Sequence, residues 1–199
     1  MNTMKYFVFC LSVLLMRFMN NIVIGCKGGG SSDMEAILER VDEKTRETFV
    51  NVFNIYHHDR ASLLPEEYQA VDDAGYYDKP NTVSIMSDYP TDKVLLYIIK
   101  HDDKVAGFVV LASAPYTKRG SDYAIVDFFV LNNFRNKGIA TRACEWLFSK
   151  YPGRYWMEII KKDSNAITFW INLIAKRGNI ISINEIDSKL IEFEFEVSI

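Results

Sequence analysis

The segment from Val126 to Thr141 restricts the fold more than any other part of the chain. Val126-Asp127-Phe128-Phe129-Val130-Leu131 is almost continuously apolar, as a strand buried on both faces must be. Asn132-Asn133-Phe134 interrupts it, and Arg135-Asn136-Lys137-Gly138-Ile139-Ala140-Thr141 opens a helix. Backbone N–H groups at a helix start have no internal acceptors, and the helix dipole adds partial positive charge there. Such an end accepts phosphate. Gly138 lets the backbone come close and Ala140 keeps the helix start narrow, while Arg135 and Lys137 supply full charges for phosphate oxygens. By itself Arg-x-x-Gly-x-Ala also describes an ordinary capped turn with solvated charges.

The surrounding pattern is that of a mixed α/β domain. Phe49, Val52, Phe53 and Tyr56 recur at helical spacing within Glu43 to His58. Pro65, Gly75, Pro80 and Pro90 punctuate a less regular stretch with room for a short helix near Glu66 to Val71. Val94 to Ile99 and Val105 to Ala112 form a hairpin pattern around His101-Asp102-Asp103-Lys104. Tyr123 to Leu131 is a central strand. The next helix carries Ile139, Ala143, Trp146 and Leu147 on one face and stops at Pro152-Gly153.

Tyr155 to Ile160 is a further strand. Ser164 is placed to cap a helix with Ala166, Phe169, Trp170, Leu173 and Ile174 on its apolar face, ended by Gly178. Ile180 to Ile186, a turn at Asp187-Ser188, and an alternating strand from Ile191 to Val197 close the chain. That last strand reads as a possible pairing edge.

The strand, the loop, a later Asn165-Ala166-Ile167-Thr168-Phe169-Trp170 and the closing hairpin together resemble the GNAT family of N-acetyltransferases, over Met34 to Ile199. The resemblance implies a mixed, mainly antiparallel central sheet flanked by helices, the acyl-CoA N-acyltransferase fold. It implies acetyl-CoA as co-substrate, with the pyrophosphate held by the Arg135, Asn136, Lys137, Gly138, Ile139, Ala140 and Thr141 loop. Phe129, Val130 and Leu131 would give backbone hydrogen bonds to the pantetheine arm and the acetyl carbonyl. Asn165 and Phe169 would pack along the cofactor. One departure bears on chemistry: many members have a Tyr in that second helix to protonate the departing thiolate, and here Phe169-Trp170 stands instead. Trp is not an acid at working pH. Tyr151 and Tyr155 are substitutes by residue type only.

Transfer needs a base for the amine. Asp127 is a lone carboxylate in an apolar strand, which is costly unless hydrogen-bonded or functional, and burial raises its pKa toward the working range. Family members often carry an acidic residue on this strand. Asp127 therefore stands either as the base or as a structural carboxylate bound to backbone on the far side of the sheet. Glu158 is the second candidate. His57-His58-Asp59 reads as a solvated helix end, because adjacent histidines do not face one way on a helix.

The net charge of −3 advertises no nucleic-acid partner. Cys10, Cys26 and Cys144 have neither disulfide-framework nor zinc spacing, so no metal is expected. Cys144 reads as a small buried residue of a helix. Residues 1–33 stand apart from the 34–199 domain. Lys27-Gly28-Gly29 can be encoded by the purine-rich run that bacterial ribosomes bind, which makes Met34 the expected start of a bacterial, cytoplasmic enzyme. The alternative is a membrane-anchored lipoprotein with a cleavage box at Val23-Ile24-Gly25-Cys26, although Arg17, Asn20 and Asn21 interrupt the apolar run.

The expected reaction is direct attack by a primary amine on acetyl-CoA in a ternary complex. The acceptor is a small molecule or a peptide. The alternative is an acyl-CoA-binding or sensing module with little or no catalysis, which the absent Tyr favours.

Overall fold

The computed structural model describes residues 37–64, 70–77 and 92–198. In chain order the elements are β1 Ile37–Arg40, α1 Arg46–Arg60, β2 Val94–His101, β3 Lys104–Ser113, β4 Tyr123–Val130, α2 Ile139–Lys150, β5 Gly153–Ile160, α3 Ser164–Arg177, β6 Asn179–Glu185 and β7 Leu190–Val197. The seven strands form one sheet in the order β1-β2-β3-β4-β5-β7-β6. Only β4 and β5 pair in parallel; the other pairs are antiparallel.

Strand alternation sorts the apolar residues onto two faces. Leu96 and Ile98 of β2 and Phe108 and Val110 of β3 pack against Phe49, Val52 and Phe53 of α1. Their alternates, Tyr97, Ile99, Val109 and Leu111, face α2 and α3 together with Phe193 and Phe195 of β7. The helices thus cover opposite faces, α1 on one and α2 with α3 on the other. Cys144 is fully buried in the second layer, as its place on the helix pattern predicts.

Three expectations need correction or fall outside the described residues. Asp163 rather than Ser164 caps α3: its carboxylate accepts the Ala166 N–H at 2.9 Å. An ionised acceptor at this position outdoes a hydroxyl one residue later. β7 is not an edge, because it lies between β5 and β6; the terminal strand is β6. In the expected short helix, Glu66 to Gln69 lie outside the described residues, and Ala70 and Val71 are exposed and non-helical. Residues 1–33 also lie outside them. No described helix is long and apolar enough to cross a membrane.

Candidate active site

The parallel ladder between β4 and β5 has two rungs, Tyr123 with Tyr155 and Ala124 with Trp156. Beyond Ala124 the strands separate. Parallel neighbours that diverge leave a wedge whose walls are strand edges rather than side-chain core. The resulting cleft encloses about 610 Å³ of space open to solvent. Its walls are β4 from Ile125 to Phe128, β5 from Met157 to Ile160, the end of α1, and Asp163, Ala166 and Trp170 at the start of α3.

A bulge aims β4 into this cleft. Ile125 is opposite Leu111 and Asp127 is opposite Val110, so Val126 is one residue extra. A single inserted residue flips every later side chain to the other face. Ile125 accordingly points to the α2–α3 layer, whereas Phe129 joins the α1 layer. Asp127 is carried with it and meets α1. It is 8% exposed. Tyr56 donates its hydroxyl to Asp127 Oδ1 at 2.5 Å, and Arg60 Nη1 stands 3.5 Å from the same oxygen. Arg60 Nη1 also donates to the Tyr56 hydroxyl. Burial pushes the Asp127 carboxyl above the ordinary carboxylate range, opposed by the Arg60 guanidinium and the Tyr56 O–H. Burial likewise holds the Tyr56 hydroxyl well above its usual value, so it stays a donor.

Glu158 lines the opposite wall and is half-buried. Its pKa is raised by burial first and then by the negative charges of Glu192 and Asp187. Glu192 sits directly across the strand pair from it. The two carboxylates predicted from sequence therefore share one cleft.

The loop into α2 has the geometry of an anion cradle. Asn136 has φ 60° and Gly138 φ 73°, both left-handed, and a β-carbon at Gly138 would press on Arg142 Nη1 at 2.9 Å. Gly138 offers no side chain to cap α2, so no N-cap side chain takes up the first-turn N–H groups. Lys137 and Ala140 flank this turn, with Ala140 and Thr141 half-buried and the Ile139 side chain taken up by the core. Arg135 does not project from the loop. It donates through Nε to the Val130 carbonyl at 2.8 Å and through Nη2 to Asp59 at 2.7 Å.

Phe129 packs its ring 5.4 Å from that of Tyr56, toward α1, and does not line the cleft. Leu131 N–H donates to the Ala106 carbonyl at 2.8 Å, which fastens the strand exit to β3. Asn165 is exposed and does not line the cleft. Phe169 stacks on Phe128, outside the lining. Ala166 and Trp170, their neighbours on α3, do line it. Tyr155 is buried and donates to the Tyr151 carbonyl, and the Tyr151 hydroxyl pairs with that of Tyr97 at 2.6 Å. Neither Tyr lines the cleft.

Three residues were missed by sequence reasoning: Tyr56, Arg60 and Arg142. Tyr56 reads as core from its spacing, and no local pattern pairs α1 with a strand some seventy residues later. Arg142 was detectable, because it lies in the first turn of α2 and donates to the Lys137 carbonyl at 3.2 Å. Among the described residues, no group of three or more His, Cys, Asp or Glu is placed to hold a metal.

The family model for acetyltransferases of the GNAT family matches residues 49–172. The chain belongs to the GNAT acetyltransferase family. Solved structures agree in fold. An acetyltransferase from Thermus thermophilus superposes with a TM-score of 0.59 at 11% identity, over 81% of this chain and 96% of that one. The PaiA N-acetyltransferase from Thermoplasma acidophilum, solved in complex with coenzyme A, gives 0.57 at 13% identity, over 82% and 99%. An N-acetyltransferase from Staphylococcus aureus Mu50 gives 0.55 at 13% identity, over 82% and 99%. No curated protein matches the chain in sequence. In this GNAT protein the bulged β4 that lines the cleft leads through Asn132–Phe134 directly into the glycine loop that opens α2.

Proposed function

We propose that the chain transfers an acetyl group from acetyl-CoA to a primary amine by direct attack in a ternary complex. The observation that carries this reading is the parting of β4 from β5 after Ala124, with the Asp127 carboxyl in the wall of the opening. The thioester lies beside β4, its carbonyl oxygen toward the backbone N–H near Val130. The start of α2 suits the pyrophosphate, being uncapped, turned by Asn136 and Gly138, and flanked by Lys137 and Arg142.

The acceptor amine loses its proton to Asp127, directly or through one water. Its lone pair attacks the thioester carbon, and the C–S bond breaks to release the CoA thiolate. Among the described residues no cysteine or serine lines the cleft, which favours direct attack over an acyl-enzyme. Glu158 stands on the opposite wall, where a negative charge attracts the ammonium form of an acceptor. The acceptor class is a small-molecule or peptide amine, and the compartment is the cytoplasm, where acetyl-CoA is available. One feature favours a second reading, an acyl-CoA-binding domain without turnover: α3 brings the Trp170 ring, and no acidic hydroxyl, to the cleft.

Titration of acetyl-CoA into the full chain, followed by melting temperature, tests the first half. A dose-dependent rise is expected, because a ligand bound only by the folded state stabilises it. Gly138→Glu, which places a carboxylate and a strained backbone in the cradle, should abolish the rise. A panel of amines with thiol detection tests the second half. No rise at millimolar acetyl-CoA overturns the proposal, and a rise without turnover of any amine selects the binding reading.

A further inference from the structure

The last turn of α1 holds both halves of the site. Asp59 accepts from Arg135 of the loop at 2.7 Å, and the next residue, Arg60, reaches Asp127 on β4. Tyr56, one turn earlier on the same face, also bonds Asp127. All of these contacts to Asp127 fall on one oxygen, Oδ1. Oδ2 takes no protein partner among the described residues, and Asp127 lines the cleft.

Arg60 is 9% exposed and Asp127 is 8% exposed. A carboxylate so far from water needs its neighbouring guanidinium, since removing Arg60 leaves the buried Asp127 charge without it. An isolated buried Asp would take up a proton and cease to be a base. The pair therefore has a consequence beyond stability. It keeps the carboxylate charged in a dry wall and fixes which of its oxygens is engaged.

We propose that Arg60 and Tyr56 are positioning residues for the transfer, clamping Oδ1 of Asp127 from α1 so that Oδ2 is presented to the acceptor amine. The clamp rests on the reading of Asp127 as base, and it adds to that reading the element that orients it. Neither residue touches the thioester. Arg60 supplies charge and direction; Tyr56 supplies a neutral donor wedged between guanidinium and carboxylate. The Asp59–Arg135 bond links the same turn to the loop before α2. The groups that face Asp127 from the surrounding elements are Tyr56 and Arg60 on α1, Glu158 on β5 and Asp163 at the head of α3. β3 presents only Val110 opposite it. Among these groups Arg60 is the cation, and its charge together with the Tyr56 hydrogen bond favours the ionised form of Asp127 against its burial.

The test compares wild type with Arg60→Met, Arg60→Lys and Tyr56→Phe in the full chain. Carbon-13 NMR of labelled Asp side chains, with Asp127→Asn to assign the signal, follows the Asp127 titration without any substrate. The midpoint should move to higher pH in Arg60→Met, move less in Tyr56→Phe, and return toward wild type in Arg60→Lys. With an amine that turns over, the acid limb of kcat/KM should move the same way. At pH 6 the loss should be about tenfold or more, recovering as pH rises. The acetyl-CoA melting shift should be unchanged.

A midpoint that stays put in a folded Arg60→Met, or a rate loss that is equal at every pH, overturns the clamp. The NMR arm stands whether or not an amine is found. If the midpoint moves and wild type turns over no amine, the catalytic reading has failed while the clamp on Asp127 holds. Should Arg60→Met fail to fold, Arg60→Lys and Tyr56→Phe carry the comparison.

Discussion

Arg135 donates to Asp59 at 2.7 Å and so ties the glycine loop to the end of α1. Both side chains are partly exposed, at 39% and 44%, so the pair is screened by water. Exposed pairs of this kind contribute about 1 kcal/mol or less. On the proposed reading, a cofactor diphosphate, with more charge than one carboxylate, would compete for the same guanidinium. Asp59→Asn should therefore tighten acetyl-CoA binding by up to about fivefold at low salt, an effect that disappears near 1 M salt. Calorimetric titration at two ionic strengths checks it. Weaker binding in Asp59→Asn would show that the bond serves to hold the loop in shape instead.

Cys144 has no exposed surface, and burial pushes its thiol well above the ordinary range, aided by the Glu145 carboxylate. The thiolate is the reactive form, so this cysteine should be inert in the folded protein. Peptide mapping after alkylation should find Cys144 unmodified in native protein and modified once urea unfolds the chain. Cys144→Ala should retain kcat within about twofold, because direct attack needs no thiol. Rapid native labelling at Cys144, or loss of turnover in the variant, would contradict both points.

The helices and strands were legible because their periods are written into contiguous residues. Phe49, Val52 and Phe53 mark α1, and the Gly138 loop marks the start of α2. The aim of Asp127 was not legible, because it depends on the bulge at Val126, and a bulge has no signature in a strand that is apolar on both sides of it. Its partners were hidden for a related reason. Tyr56 and Arg60 meet β4 only through the packing of α1 on the sheet, a contact that local pattern cannot encode. Arg135 shows the same limit from the other side. Its residue type suits phosphate, but its bonds to Asp59 and the Val130 carbonyl are not written in the local pattern.

On the α1 side of β5 and β7, Glu194 accepts from Lys118 and from Arg154, the latter at 2.7 Å. These two hydrogen bonds, Lys118 first, hold its pKa below the ordinary value. A carboxylate with a depressed folded-state pKa contributes stability that is present above the unfolded pKa and is lost as pH falls through the folded one. Lys118 and Arg154 are 38% and 41% exposed, so they regain water when the partner is removed. Glu194→Gln should then cost about 1 kcal/mol at pH 7 by urea unfolding. The gap between variant and wild type should close on acidification below about pH 4. An undiminished gap at low pH would mean that Glu194 acts through packing rather than charge.

Asp127 and Glu158 face each other across the cleft, but their surroundings differ. Asp127 has a guanidinium and a hydroxyl on Oδ1, and its carboxylate is the more deeply buried. Glu158 is half-buried, and the charges near it are Glu192 and Asp187, both negative. A base must be ionised and oriented, and only Asp127 has partners that do both. Asp127→Asn should lower kcat by about 10²–10⁴ with the acetyl-CoA melting shift intact. Glu158→Gln should leave kcat within about tenfold and act mainly on KM for a cationic amine, by removing attraction rather than a proton acceptor. Because both carboxyls are held above their ordinary values, activity should fall on acidification earlier than an exposed carboxylate would dictate. In Glu158→Gln the acid limb should persist, set by Asp127, whose raised pKa comes from its own burial. Disappearance of the limb in Glu158→Gln, with Asp127→Asn still active, would transfer the base to β5.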